Sequence, residues 1–374
     1  MNAKRKWQQN GEWGMGNGEP VDTSLPIPHS TFPIARRSFL AALAVSATSA
    51  LQAKDADPER TAVELITPDA QLAIDRGLAF LSHQQHEDGS FGSGGYARDV
   101  AVAGLAGMAY LSSGSTPGRG PYGTNAAKCV DFILENTQES GFINVPGSGS
   151  HGPMYGHGFA TLFLAETYGM SLRADIREKL AAAVKLIVDT QNTDGGWRYH
   201  PVRRDADISV TICQVMALRA ARNAGVYVPH DTIDRCIAYV KRSQNADGGF
   251  MYMIQGGQSA FPRSAAGVVA LYSAGIYEGS EIERGLKYLM ESIPRGGIFN
   301  RESHYFYGHY YAVQAMWHAG GDHWSRWYPA IRDELLARQR EDGSWMDSIC
   351  QEYGTAMACI ILQMPNNYLP IFQR

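Results

Sequence analysis

From about residue 66 onward, two kinds of apolar stretch alternate along the chain. The run Ala181-Ala182-Ala183-Val184-Lys185-Leu186-Ile187-Val188 represents the first kind. Its apolar positions recur at three and four, which puts a hydrophobic stripe on one helix face. Thr211 to Ala221, Ala265 to Ala274 and Tyr310 to Ala319 represent the second kind, rich in small residues and apolar on several faces. Such helices pack closely and are enclosed on several sides. A glycine-containing turn joins each striped stretch to the enclosed stretch that follows it, so the pattern predicts helical hairpins.

The turns repeat. Gln-x-x-Asp-Gly-x-aromatic occurs at Gln85 to Phe91, Gln191 to Trp197, Gln244 to Phe250 and Gln339 to Trp345. The motif aspartates at 88, 194, 247 and 342 are 106, 53 and 95 residues apart, which fits a unit of roughly 50 residues with two degenerate copies. Gln138-Glu139-Ser140-Gly141-Phe142 is one such copy and Arg295-Gly296-Gly297-Ile298 the other. Six hairpins make either an open solenoid or a closed ring. A solenoid needs atypical polar caps, and none stands out. The expected fold is therefore all-α: an (α/α)6 toroid with an inner and an outer ring of helices, over residues 66–374.

Residues 1–53 read as a leader outside the ring, and 54–65 as a linker. Arg36-Arg37-Ser38-Phe39-Leu40 is a twin-arginine pair followed by a short apolar run, with small residues near Ala50 and Ala53. This predicts a Tat-type export signal and a periplasmic or extracellular protein. The run is too short and too rich in Ala and Ser for a membrane span. With 33 Lys and Arg against 37 Asp and Glu, the chain has no basic excess, and nucleic acid is not an expected partner. The five cysteines include no Cys-x-x-Cys pair and so no metal-finger pattern. Cys213 and Cys359, within enclosed helices, read as core residues.

The Gln-x-x-Asp-Gly-x-Trp motif resembles the QW repeat of squalene and oxidosqualene cyclases. The region from 66 to 370 resembles the terpenoid cyclase/protein prenyltransferase α/α-toroid superfamily. The motif itself reads as scaffold: its Gln amide is suited to bond backbone at neighbouring helix ends, and its aromatic to pack on the adjacent hairpin.

Candidate chemistry lies at the inner-helix N-termini. An anchor seven residues before a mid-helix apolar residue picks out His157, Thr211, Ser264, His309 and Thr355. The expected cavity mouth carries Asp99, Tyr155, His157, Asp207, Ser209, Tyr307, His309 and Tyr353, with His304 in the polar segment before the fifth inner helix. Asp205-Ala206-Asp207-Ile208 matches the first two acids of the Asp-x-Asp-Asp motif of cyclases that start by protonation, but Ile208 replaces the third. The resemblance makes Asp207 the candidate general acid, with Asp205, His157 and His309 beside it. The residues alone equally allow Asp207 or Ser209 to cap a helix.

Protein prenyltransferases hold zinc with Asp, Cys and His. Only His309 matches, and Ser209 stands where a thiolate is needed, so neither zinc nor another cofactor is expected. The implied function is an exported, terpene cyclase-like or prenyltransferase-like toroid with an isoprenoid or other apolar ligand in its central cavity, whether or not it catalyses a reaction. The alternatives are a non-catalytic toroid binding lipid or protein, or a carbohydrate-active ring. Association with a membrane surface stays open.

Overall fold

The computed structural model describes residues 62–147, 152–171, 173–295 and 303–373. The leader with its twin-arginine pair, the linker up to residue 61, and most of the degenerate motif at Arg295 to Ile298 lie outside the described residues.

Six helices bury one face: α1 (Pro68–Gln84), α3 (Gly123–Glu135), α5 (Ala174–Thr190), α7 (His230–Arg242), α9 (Ser280–Met290) and α11 (Gly321–Arg338). The six that alternate with them are buried on nearly every side: α2 (Val100–Ser112), α4 (Pro153–Tyr168), α6 (Ile208–Asn223), α8 (Phe261–Ser273), α10 (Tyr305–Ala319) and α12 (Gln351–Leu362). The buried helices touch in the order α2, α4, α6, α8, α10, α12, and α12 returns to α2. The ring is closed, as the repeat predicts. Residues 62–65, assigned to the linker by sequence, form a 3-10 turn whose Leu65 carbonyl accepts from Arg332 at 2.8 Å.

The repeated turns hold the hairpins together. Gln191 Nε2 donates to the Gly195 carbonyl of its own turn at 2.9 Å and to the Thr232 carbonyl of the next outer helix at 2.8 Å. Gln85, Gln244 and Gln339 repeat this with Asn125, Glu281 and Ala73. The glycine of each turn has φ between +86° and +100°. A Cβ at Gly89, Gly195 or Gly248 would fall 2.1–2.4 Å from a backbone oxygen of the next outer helix. Glycine is thus required twice over, for the left-handed conformation and for the close approach. Asp88, Asp247 and Asp342 accept the backbone N–H two residues on at 2.9–3.0 Å. In the third unit Asn192 takes that role, and Asp194 pairs with Arg242 instead. The aromatics are fully buried, and Trp197 and Trp345 donate their indole N–H to Ile187 and Leu335 carbonyls at 2.7 and 2.8 Å.

Gln339 closes the ring, because its second acceptor, at 2.8 Å, is Ala73 of the first helix. Gln339→Ala leaves two carbonyls without their donor and is expected to cost about 1–3 kcal/mol. Urea unfolding checks this; an unchanged midpoint would show that the clamp does not stabilise the closure.

Candidate functional site

The anchor residues sit in the first turns of their inner helices, and four of them face the repeated turns. Thr211 Oγ1, Ser264 Oγ and Thr355 Oγ1 accept the backbone N–H of Trp197, Phe250 and Trp345 at 3.1, 2.8 and 3.0 Å. His157 does the same job with Nδ1, which accepts from Ile143 N–H at 3.2 Å. An accepting Nδ1 puts the proton on Nε2 and requires a neutral ring. Burial pushes the His157 pKa down to about 4, opposed by the Ala183 carbonyl. His309 is pushed down to about 3, first by burial and then by the Arg338 charge. Its ring packs among Tyr305, Phe261 and Trp327, with centroids 4.4, 4.9 and 5.9 Å away. Both imidazoles therefore lie in the layer between inner and outer helices. This corrects their expected place on the cavity mouth.

The residues two positions earlier face the axis instead. Tyr307 Oη donates to the Ser209 carbonyl at 2.7 Å. Tyr155 meets Tyr307 edge-on with centroids 6.4 Å apart, although α4 and α10 stand on opposite sides of the ring. One turn deeper, Phe159 and Tyr310 meet across the axis at 6.1 Å, and Tyr311 Oη lies 3.3 Å from Cys213 Sγ. All four of these are buried. The expected central cavity is thus filled at mid-depth by large side chains. At the other end the segment after α12 crosses the inner-helix C-termini. Trp317 donates to the Phe372 carbonyl at 2.9 Å, Asn366 to Ser112 at 3.1 Å, and Ile371 N–H to Glu166 at 3.4 Å. At the mouth, Tyr155, Ser209 and Tyr307 are half-buried.

Asp207 is the chemically distinctive group there. It is the N-cap of α6, and its Oδ1 accepts from Val210 N–H at 2.9 Å. Its side chain is 0% exposed, and Oδ2 has no hydrogen-bond partner. Arg198 Nε stands 3.8 Å from that oxygen, beyond bonding distance, while Arg198 Nη1 contacts Asp205. Burial raises the Asp207 pKa to about 6, opposed by the Val210 N–H, the Tyr252 hydroxyl and Arg198. A carboxyl of this kind holds its proton into the near-neutral range. Tyr199 and Tyr252 touch through their hydroxyls beside it, and the Tyr155 and Tyr199 rings are 6.1 Å apart. Gly152 permits this crowding, since a Cβ there would meet the Tyr199 and Tyr155 rings at 2.9 and 3.0 Å.

The remaining candidates are spread around the mouth. Asp99 caps α2 by accepting from Ala101 and Val102 at 2.7 and 3.3 Å, and burial raises its pKa. Tyr353 is buried, and its pKa is raised well by burial and then by Asp347. His304 is exposed at the N-terminus of α10 with φ +62° and bonds no helix N–H. Among the described residues no three His, Cys, Asp or Glu side chains converge as a metal site.

Arg198, Tyr199 and Tyr252 were missed by the sequence reading. A signal for two of them existed, because Tyr199 and Tyr252 each follow a motif aromatic, Trp197 and Phe250, by two positions.

Solved structures with the same ring are distant in sequence. The type II terpene cyclase MstE from Scytonema is 15% identical over 80% of this chain and 99% of its own, with a TM-score of 0.58. A complex of an MstE variant with geranylgeranyl dihydroxybenzoate gives 14% and 0.57 over 80% and 98% of the two chains. An inactive variant of the α-1,6-mannanase of Salegentibacter, bound to α-1,6-mannotriose, gives 7% and 0.59 over 79% and 99%. None of the curated proteins matches the chain. The prenyltransferase alpha-alpha toroid domain profile matches residues 62–181 and 170–304, more than half of the chain. Closed ring, repeated clamps and profile together make this chain a member of the prenyltransferase α/α-toroid domain family.

Proposed function

We propose that the mouth of the toroid binds an apolar, isoprenoid-type ligand and that Asp207 delivers a proton to it. One observation carries this reading: an enclosed carboxyl, one oxygen tied to a helix cap and the other unpartnered, with its pKa raised to about 6 beside aromatic rings. An alkene protonated there becomes a carbocation and leaves Asp207 as carboxylate. Loss of a proton from the cation then restores the acid, and the product is an isomer of the substrate. The step needs no cofactor. The faces of Tyr155, Tyr199, Tyr252 and Tyr307 are suited to stabilise the cation. Ser209 and Tyr353 complete the proposed contact set, with Asp99 and His304 at its edge. We place the protein outside the cytoplasm, on the strength of its twin-arginine leader.

MstE, bound in separate structures to geranylgeranyl dihydroxybenzoate and to merosterolic acid A, supports the ligand class. The mannanase resemblance is equal in fold, but its inactive variant has two adjacent aspartates changed to asparagine, and this chain has no adjacent aspartate pair. Incubation with squalene, prenyl diphosphates and a prenylated phenol, with α-1,6-mannan in parallel, tests the reading by mass spectrometry of the products. Cyclised isomers support it; released mannose, or no product from any isoprenoid, overturns it.

The acid form is the active one, so turnover is expected to fall about tenfold per pH unit above the pKa of about 6. Initial rates between pH 5 and 9 check this. A profile flat to pH 8 would contradict proton donation by Asp207.

A further inference from the structure

Arg198 has two carboxylates within reach and bonds one of them. Its Nη1 contacts Asp205, which is 45% exposed, while its Nε makes no hydrogen bond and stops 3.8 Å short of the enclosed Asp207 Oδ2. The guanidinium also lies over the Tyr199 and Tyr252 rings, 5.1 and 6.0 Å from their centroids. Those rings are joined through their hydroxyls, so the guanidinium is bounded by two aromatic faces and one carboxylate. A shift of roughly 1 Å toward Asp207 would turn the 3.8 Å gap into a charge-assisted hydrogen bond. That bond favours the carboxylate form and opposes protonation.

We propose that Asp205 is a positioning residue: by holding Arg198 it keeps the guanidinium off Asp207 Oδ2, and that oxygen stays free to carry a proton. The inference rests on the proton-donor reading of Asp207 and adds what regulates that acid. The Asp-x-Asp spacing supports it. Asp207 is extended, and residues two apart in extended chain project to the same side, so both carboxyls can address one guanidinium. The other groups acting on Asp207 are Tyr155 from α4, Cys213 from α6, Tyr239 from α7, Tyr307 from α10 and Tyr252 from the turn before α8. Burial raises the pKa of each, so all are neutral in the range where Asp207 titrates. Among these groups the guanidinium is the charged one; the Val210 N–H and the Tyr252 hydroxyl also favour the carboxylate, and neither residue is altered in the variants below.

Titration of the Asp207 carboxyl in ligand-free protein tests this, using aspartate labelled with carbon-13 at Cγ and Asp207→Asn to assign the signal. Asp205→Asn releases Arg198 and is expected to lower the Asp207 midpoint by about one pH unit, and Arg198→Met to raise it by about one. The double variant separates positioning from direct charge repulsion. If Asp205 acts through Arg198, Arg198→Met with Asp205→Asn titrates like Arg198→Met alone. A downward shift that persists without the arginine, or no shift in either single variant, overturns the proposal. The titration needs no substrate, so a failure of the proton-donor reading would appear separately, as absent turnover with these shifts intact.

Discussion

Gly195→Ala is expected to destabilise the ring by more than about 4 kcal/mol, among the largest effects of a single methyl group. Gly195 has φ +100°, and an added Cβ would stand 2.1 Å from the Arg235 oxygen and 2.5 Å from its carbonyl carbon. The obstacle is backbone, so no side chain can swing aside. Arg235 cannot retreat without disturbing α7, whose Thr232 carbonyl is held by Gln191 at 2.8 Å. Gly225→Ala is the control. Gly225 has φ +84° but nothing within 4 Å of its added Cβ, so only conformational strain of about 1–2 kcal/mol applies. Thermal or urea midpoints of the two variants isolate the cost of the close approach. Equal losses would show that the repeated glycine is kept for its backbone conformation alone.

Asp207→Asn is expected to lower turnover by about 10²–10⁴-fold with little change in stability. The amide keeps the cap, because asparagine accepts from a helix N–H as well as aspartate does. It cannot supply an acidic proton. Asp207→Ala removes both functions and is expected to cost about 1 kcal/mol more in folding. Comparing kcat and unfolding midpoints across the two variants separates the capping role from the chemical one. If the asparagine variant turns over like the parent, Asp207 is a cap and nothing more.

The six hairpins were legible because the turn needs a fixed set of residues. The Gln must span two carbonyls, the Gly must adopt positive φ against a neighbouring backbone, and the aromatic must fill the hairpin. Those demands recur in four units and leave a repeat. The face of the anchor residues was misread for a definable reason. Seven residues are nearly two helical turns, so His157 lies on the same face as Leu164. That face packs outward, and the mouth belongs to the residues two positions earlier, nearly opposite on the helix. Tyr155, Tyr307 and Tyr353 share a signal, since each is followed by glycine and stands two positions before an anchor residue, whereas Ser209 precedes Val210 and has only its spacing from Thr211. The filled axis could not be read, since it depends on how far Phe159 and Tyr310 reach from opposite sides of a closed ring. Arg198 escaped for a similar reason, because its partners are set by a loop and not by helical spacing.

The most direct test is an incubation in heavy water with a prenylated phenol or squalene. Proton-initiated cyclisation by Asp207 should give an isomeric product carrying one deuterium at the carbon protonated first, and Asp207→Asn should give none. An unlabelled product, or labelled product in equal yield from the variant, would contradict the account.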